Sequence, residues 1–262
     1  GQPGVIDTWS AGNTQLLTAL PATPASPDAV RPTIVLYPTE TNPTTTMRFL
    51  CGQTDTGAQW HAMGCQLESV TIDIDIASGR PIKLKWRYQM AYWARSTVSI
   101  PSSVAMPNTD TAPIAGGSFF INTVGTATRA VEEVASLQLT LDMGLIAQRG
   151  TAASQAPYTN ITGWVSNGCR PLLVVEIPWT TAAETDWDTD GSSTTHKHVL
   201  FASNGTAGRC QGFYLPRLYQ DAERPTYTDR NGLTYVKKTL RGRESTITTS
   251  ELTRSCFRWF MG

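Results

Sequence analysis

Histidine and charge are both scarce in this chain. Only His61, His196 and His198 are present, and Asp, Glu, Lys and Arg make up 16% of the 262 residues, against about 25% in ordinary soluble domains. Acidic and basic residues number 21 each and cancel, which removes any long-range pull towards nucleic acid or an anionic membrane. A neutral chain also has little colloidal protection, which suits a self-associating subunit. No secretory leader is recognisable, and no apolar run is long enough to cross a bilayer as a helix. The motifs G-x-S-x-G, G-x-x-x-x-G-K-[ST], H-E-x-x-H and G-x-G-x-x-G do not occur, so none of the common hydrolase, phosphate-loop, zinc-protease or dinucleotide signatures applies. The five cysteines (Cys51, Cys65, Cys169, Cys210, Cys256) are odd in number, widely spaced and form no C-x-x-C pair. They read as buried reduced thiols of a protein made in the cytosol, with a Cys51–Cys65 bridge as the alternative. Long amphipathic helices are missing too, and one short helix is expected near residues 127–134 or beside the 110–116 loop. No catalytic residue, metal or cofactor is expected.

Thr, Ser, Gly, Pro and Ala take up the space that charge leaves. The clearest order lies between Leu67 and Tyr88. Val70, Ile72, Ile74 and Ile76 alternate with Ser69, Thr71, Asp73 and Asp75; then Ile82, Leu84, Trp86 and Tyr88 alternate with Lys83, Lys85, Arg87 and Gln89. A period of two over both runs means two strands, each with one apolar face. Ala77-Ser-Gly-Arg-Pro81 joins them as a hairpin loop. Pairing about Gly79 predicts Ile74 opposite Leu84 and Ile72 opposite Trp86 in the core, with Asp75 facing Lys83 and Asp73 facing Lys85 outside. A one-residue slip would carry the acids to the apolar side.

A similar pattern follows. Ser136, Gln138, Thr140 and Asp142 alternate with Leu137, Leu139, Leu141 and Met143, and the run from Cys169 to Trp179 gives another strand. Shorter strands are expected at 118–122, 199–202, 212–216 and 233–240. Residues 1–47 are rich in Pro and Thr, which exclude central strands and helices. They read as an extended arm in which Thr33 to Tyr37 is the one strand candidate. The expectation is therefore an all-β chain with little helix: an arm over 1–47 and a β domain over 48–262, divisible into similar halves at about 48–126 and 127–262.

Isolated chemistry-bearing clusters each have a plainer reading. Asp186-Trp-Asp-Thr-Asp-Gly191 opens like a calcium loop, but position twelve is Lys197 where a bidentate Glu is needed. His196 and His198 form an H-x-H pair without a third ligand nearby and read as a solvent-exposed loop pair. Asn160-Ile-Thr and Asn204-Gly-Thr match the glycosylation sequon by chance in a Thr-rich chain. Lys83-Leu-Lys-Trp-Arg-Tyr interleaves cations with aromatics, but alternation sends them to opposite faces. Its aromatics read as core.

The run Met63-Gly-Cys-Gln-Leu-Glu-Ser-Val-Thr-Ile-Asp-Ile-Asp-Ile76, with its Gly-bearing turn and basic second strand, resembles the major tail tube proteins of long-tailed bacteriophages. Val134 to Asp142, Ile161 to Gly168 and Leu172 to Ile177 resemble the family's second strand set. The resemblance covers roughly residues 50 to 215; the Pro-rich arm and the segment after Leu218 depart from the shortest members. It implies a β-sandwich or partial barrel that forms hexameric rings, stacked into a tube through which viral DNA passes, in a virion assembled from protein made in the host cytoplasm. Partners would be other copies, other tail proteins and DNA bound without sequence preference, with no membrane anchor. Ser69, Thr71, Asp73, Asp75, Gln138, Thr140 and Asp142 become candidates for the channel lining or a subunit contact, with Lys83, Lys85 and Arg87 opposite the acids. Alternatives are a tail terminator, distal tail or head decoration protein, or a β-sandwich carbohydrate-binding module using Trp164, Trp179 and Trp187. A metal-dependent hydrolase built on residues 186–198 is a third class.

Overall fold

A computed structural model of the chain describes residues 6–10, 13–16, 34–36, 45–51, 58–96, 116–124, 131–150, 161–181, 196–203, 211–221, 226–242 and 255–261. In chain order the strands are β1 (Ile6–Ser10), β2 (Asn13–Leu16), β3 (Ile34–Leu36), β4 (Thr45–Cys51), β5 (Ala58–Asp75) and β6 (Lys83–Gln89). Next come β7 (Tyr92–Ser96), β8 (Gly117–Thr123), β9 (Val131–Glu132), β10 (Ser136–Asp142), β11 (Leu145–Arg149) and β12 (Ile161–Ser166). The last are β13 (Arg170–Pro178), β14 (Lys197–Ser203), β15 (Gln211–Gln220), β16 (Thr226–Arg230), β17 (Leu233–Gly242) and β18 (Arg258–Met261). The fold is all-β and sandwich-like.

One leaf runs β6-β5-β10-β13-β17-β16, and the other runs β9-β8-β14-β15-β18-β3. Every ladder is antiparallel, and the leaves join where Leu218–Gln220 of β15 pairs with Leu240–Gly242 of β17. The two self-similar runs, β5 and β10, lie side by side, with Ile72 opposite Leu139 and Asp73 opposite Gln138. The alternation seen in sequence sets the core. Val70, Ile72, Ile74, Leu137, Leu139, Leu141, Leu173, Val175 and Val236 from leaf one meet Phe119, Ile121, Val199, Phe201, Phe213, Leu215 and Leu218 from leaf two. Fully burying each such side chain contributes about 1.5–3 kcal/mol.

Leaf two is apolar on its outer face as well. Phe120, Leu200 and Tyr214 form a second buried cluster there, with Phe260 against it. His198 is buried on β14 beside Tyr214, their ring centroids 6.1 Å apart, and the Arg258 guanidinium lies 5.6 Å from the Tyr214 centroid. This corrects the reading of His196 and His198 as an exposed loop pair: strand pairing with β8 and β15 carries His198 inside.

The β5–β6 register also differs from expectation. Ile72 faces Leu84, Val70 faces Trp86, Asp73 faces Lys83 and Thr71 faces Lys85, a shift of two residues. A shift of two keeps every side chain on its face, so alternation alone could not select between the registers. The tip of β5 is claimed from its other side. Asp75 pairs with Ser136, and the Ile76 and Ala77 amides both donate to the Ala135 carbonyl at 3.0 and 3.1 Å. The Asp75 carboxylate then accepts from the Ser78 amide at 3.3 Å. The connection is thus the longer 74–82 loop, closed by Gly79.

Further corrections concern the helix and the arm, while the reading of the thiols holds for Cys65. Residues 131–132 form β9 against β8, so no helix reaches Val134; residues 110–115 and 127–130 lie outside the described set. Cys65 is a buried thiol, its Sγ donating to the Ala62 carbonyl at 3.2 Å, as the reduced-thiol reading expects and against the Cys51–Cys65 bridge given as its alternative. Within residues 1–47, β1 pairs with β2, and β3 pairs with β18. The 186–191 acidic loop, the sequon asparagines Asn160 and Asn204, and Trp187 also fall outside the described residues.

Two long hairpins bend where they leave the sandwich. β5 pairs with β10 and β6 over its second half, but with β4 and β7 over its first. The break falls at Gly64, whose φ of +61° and whose Cβ position 2.9 Å from the Ala91 Cβ exclude larger residues without strain. The β10–β13 ladder continues into β11–β12 past Gly144 and Gly168, both also at positive φ. The Trp164 indole N–H of β12 donates to the Gly64 carbonyl at 2.9 Å, tying one bend to the other hairpin.

Candidate assembly surface

All ten residues singled out from sequence share the outer face of leaf one. Ser69, Thr71, Asp73 and Asp75 line β5, Lys83, Lys85 and Arg87 line β6, and Gln138, Thr140 and Asp142 line β10. β5 sits between the other two, so residues about 70 positions apart become neighbours. The Gln138 amide donates to Asp73 Oδ1 at 2.7 Å, and the Thr71 and Thr140 hydroxyls stand 3.5 Å apart. Asp142 Oδ1 accepts from the Gly144 amide at 2.9 Å and lies between Ser69 and Arg170.

Most of the charges on this face are paired, Lys83 and Arg170 being exceptions among the described residues. Lys85 reaches diagonally to Asp73 at 2.6 Å, and Arg87 meets Glu68 at 2.8 Å. Asp75 is taken by Arg230 at 3.3 Å, and not by Lys83 as the expected register would have it. Arg230 folds over the end of the leaf. Its guanidinium also bonds the buried Glu176 carboxylate and, at 3.2 Å, the Ser136 hydroxyl. Ser136 donates to Glu176 at 2.7 Å, and Lys237 stands 3.5 Å from the same carboxylate. One arginine from β16 thereby clamps β5, β10 and β13.

Partial burial works to raise the Asp73 pKa, but hydrogen bonds from Lys85 and Gln138 and the charges of Lys85 and Lys83 outweigh it and hold the carboxyl below its ordinary 3.8. Asp75 is likewise lowered. Partial burial opposes, and the Ser78 hydrogen bonds with the Arg230 charge prevail.

The other face of β6 is where the structure departs furthest from the sequence reading. Leu84, Trp86 and Tyr88 point to the core side, because their ladder partners Ile72, Val70 and Leu67 do. Yet they are 49%, 56% and 37% exposed, while Ile72 and Val70 are buried. They are not core. Leaf one overhangs leaf two at this edge, and β6 pairs with β5 alone among the described strands.

Sequence reading missed Glu68, Ser136, Glu176 and Arg230 as members of the charged face. A signal for Arg230 was present: Asn231-Gly232 is a two-residue hairpin turn between alternating runs, and both residues have positive φ. Glu176 was legible as a lone acid in the apolar run 172–177 with the outward parity of Gln138. Among the described residues no three His, Cys, Asp or Glu side chains group as a metal set. Trp179 is exposed, whereas Trp164 is half-buried and used in the contact to Gly64. The sequence matches no protein-family model and no curated protein.

Proposed function

We propose that this chain is a structural virion protein, the subunit of a long-tailed bacteriophage tail tube that forms stacked hexameric rings around a channel for DNA. The observation that carries the reading is the edge strand β6, with a core-side apolar face that the described residues leave uncovered. A second copy covers Leu84, Trp86 and Tyr88 and takes up the backbone groups that an edge strand presents. The opposite edge of the leaf is built alike: among the described strands β16 pairs with β17 alone, and Tyr227, facing as buried Val236 does, is 46% exposed. Joining β6 of one copy to β16 of the next is a head-to-tail contact, which closes into a ring when the rotation permits.

In such a ring the outer face of leaf one, with its Ser, Thr, Gln and paired charges, lines the channel. Cations that release counterions to phosphate are what make a surface hold DNA. Here Lys85, Arg87, Arg230 and Lys237 already have carboxylate partners, which leaves DNA a weak foothold on the face, at Lys83 and Arg170. Other tail proteins cap the tube.

Electron microscopy of the purified chain tests the reading. Sixfold rings or tubes are expected, and a stably monomeric protein that never assembles would sink it.

A further inference from the structure

We propose that subunits also dock end to end, the Trp60–Trp93 pair of one copy entering the cleft between the leaves of the next. The inference rests on the tube reading and names its axial contact, as β6 supplies the lateral one.

The plug lies beyond the bend at Gly64. Trp60 of β5 and Trp93 of β7 are both exposed and meet edge to face, with ring centroids 6.4 Å apart and planes at 89°. The bend that aims them is fixed by the Trp164 contact to Gly64 and by the Ala91 amide donating to the Met63 carbonyl at 3.0 Å. Arg95 stands directly opposite Trp60, exposed and without a carboxylate partner among the described residues.

The socket lies at the other end of the same strand. Ile76, Phe119, Val134, Pro178 and Tyr235 line an open cleft of about 570 Å³. Glu133 sits at its wall, exposed and with no cation paired to it among the described residues.

A chain cannot fill its own cleft with its own tryptophans. Between Trp60 and Ile76 lies most of β5, about 50 Å measured along the strand at ~3.3 Å per residue. The occupant with the matching apolar pair and the matching charge is a second copy, Arg95 meeting Glu133. Plug and socket at opposite ends make a heterologous contact that repeats without closing, which is the geometry of a column. Aromatic side chains bury roughly 150–250 Å² each, a modest contact singly. Six in parallel between two rings act as one multivalent joint.

Two measurements test this. In the first, Trp93→Cys and Ala77→Cys are combined in the full chain and oxidised. A ladder of covalent oligomers is expected that neither single variant produces; a monomer band, or a ladder in a single variant, overturns the inference. Sixfold rings without a ladder would keep the tube reading and remove this one, while a ladder without rings would do the reverse. In the second, Arg95→Glu should leave rings but abolish tubes, and adding Glu133→Arg should restore them. Tubes that persist in Arg95→Glu, or that Glu133→Arg fails to restore, contradict the pairing.

Discussion

The two leaves of the sandwich treat their outer faces differently. Leaf two buries apolar side chains on both sides, Phe119 and Phe201 inward and Phe120 and Leu200 outward. Leaf one buries one side only and presents Thr, Gln and paired charges on the other. It also extends past its partner, so that at β6 even the core side lies bare. Leaf two is therefore complete within the chain. Leaf one leaves apolar side chains exposed at β6 among the described residues, and the proposed assembly would cover them.

The widest gap between the leaves should appear on truncating one aromatic from each. Phe213→Ala removes a fully buried ring from leaf two and should cost about 3–5 kcal/mol, read as a lower urea midpoint. Trp86→Ala removes an exposed ring and should stay within about 0.5 kcal/mol by the same measurement while weakening assembly. Equal losses would erase the distinction.

Next in size is the clamp over leaf one. Arg230→Met leaves the buried Glu176 carboxylate without its closest cation and should cost about 1–3 kcal/mol. The paired variant with Glu176→Gln should recover part of that loss, measured by denaturation of both variants.

Acid provides a gentler probe of the same face. Asp73 and Asp75 are held below 3.8 in the folded chain. Their contribution is complete above the unfolded value and is lost as pH falls through the lower folded values. Stability should decline below about pH 4, and Asp73→Asn with Asp75→Asn should flatten that decline. A decline of unchanged size would place its origin elsewhere. Smallest is the effect on DNA. The same double variant frees Lys85 and Arg230 from these acids and should show weak duplex binding at low salt that falls steeply with added salt. Wild-type chain should show less by fluorescence anisotropy.

Legibility followed the same division. Alternation in β5 and β10 disclosed leaf one, its two faces and the shared surface of the ten residues, because a period of two survives in any sheet with one wet side. The hairpin register escaped, since a two-residue shift preserves that period and the choice fell to Ala135 and Ser136 on another strand. The exposure of Trp86 escaped because alternation says which face is apolar, never whether a second layer reaches it. In leaf two, runs such as Ser118-Phe-Phe-Ile and Val199-Leu-Phe-Ala are apolar on both faces, so strands were visible there but their two-sided burial was not. His198 was read as exposed because polar residues precede it, and its surroundings come from β8 and β15.

The central claim is that β6 is completed by a second copy. Hydrogen exchange of the amides from Lys83 to Gln89 tests it most directly, comparing assembled protein with dilute, dissociated protein. The account predicts that this segment becomes markedly slower to exchange on assembly, while β13 in the middle of the same leaf stays as it was. Exchange in β6 at the same rate in both states would contradict it.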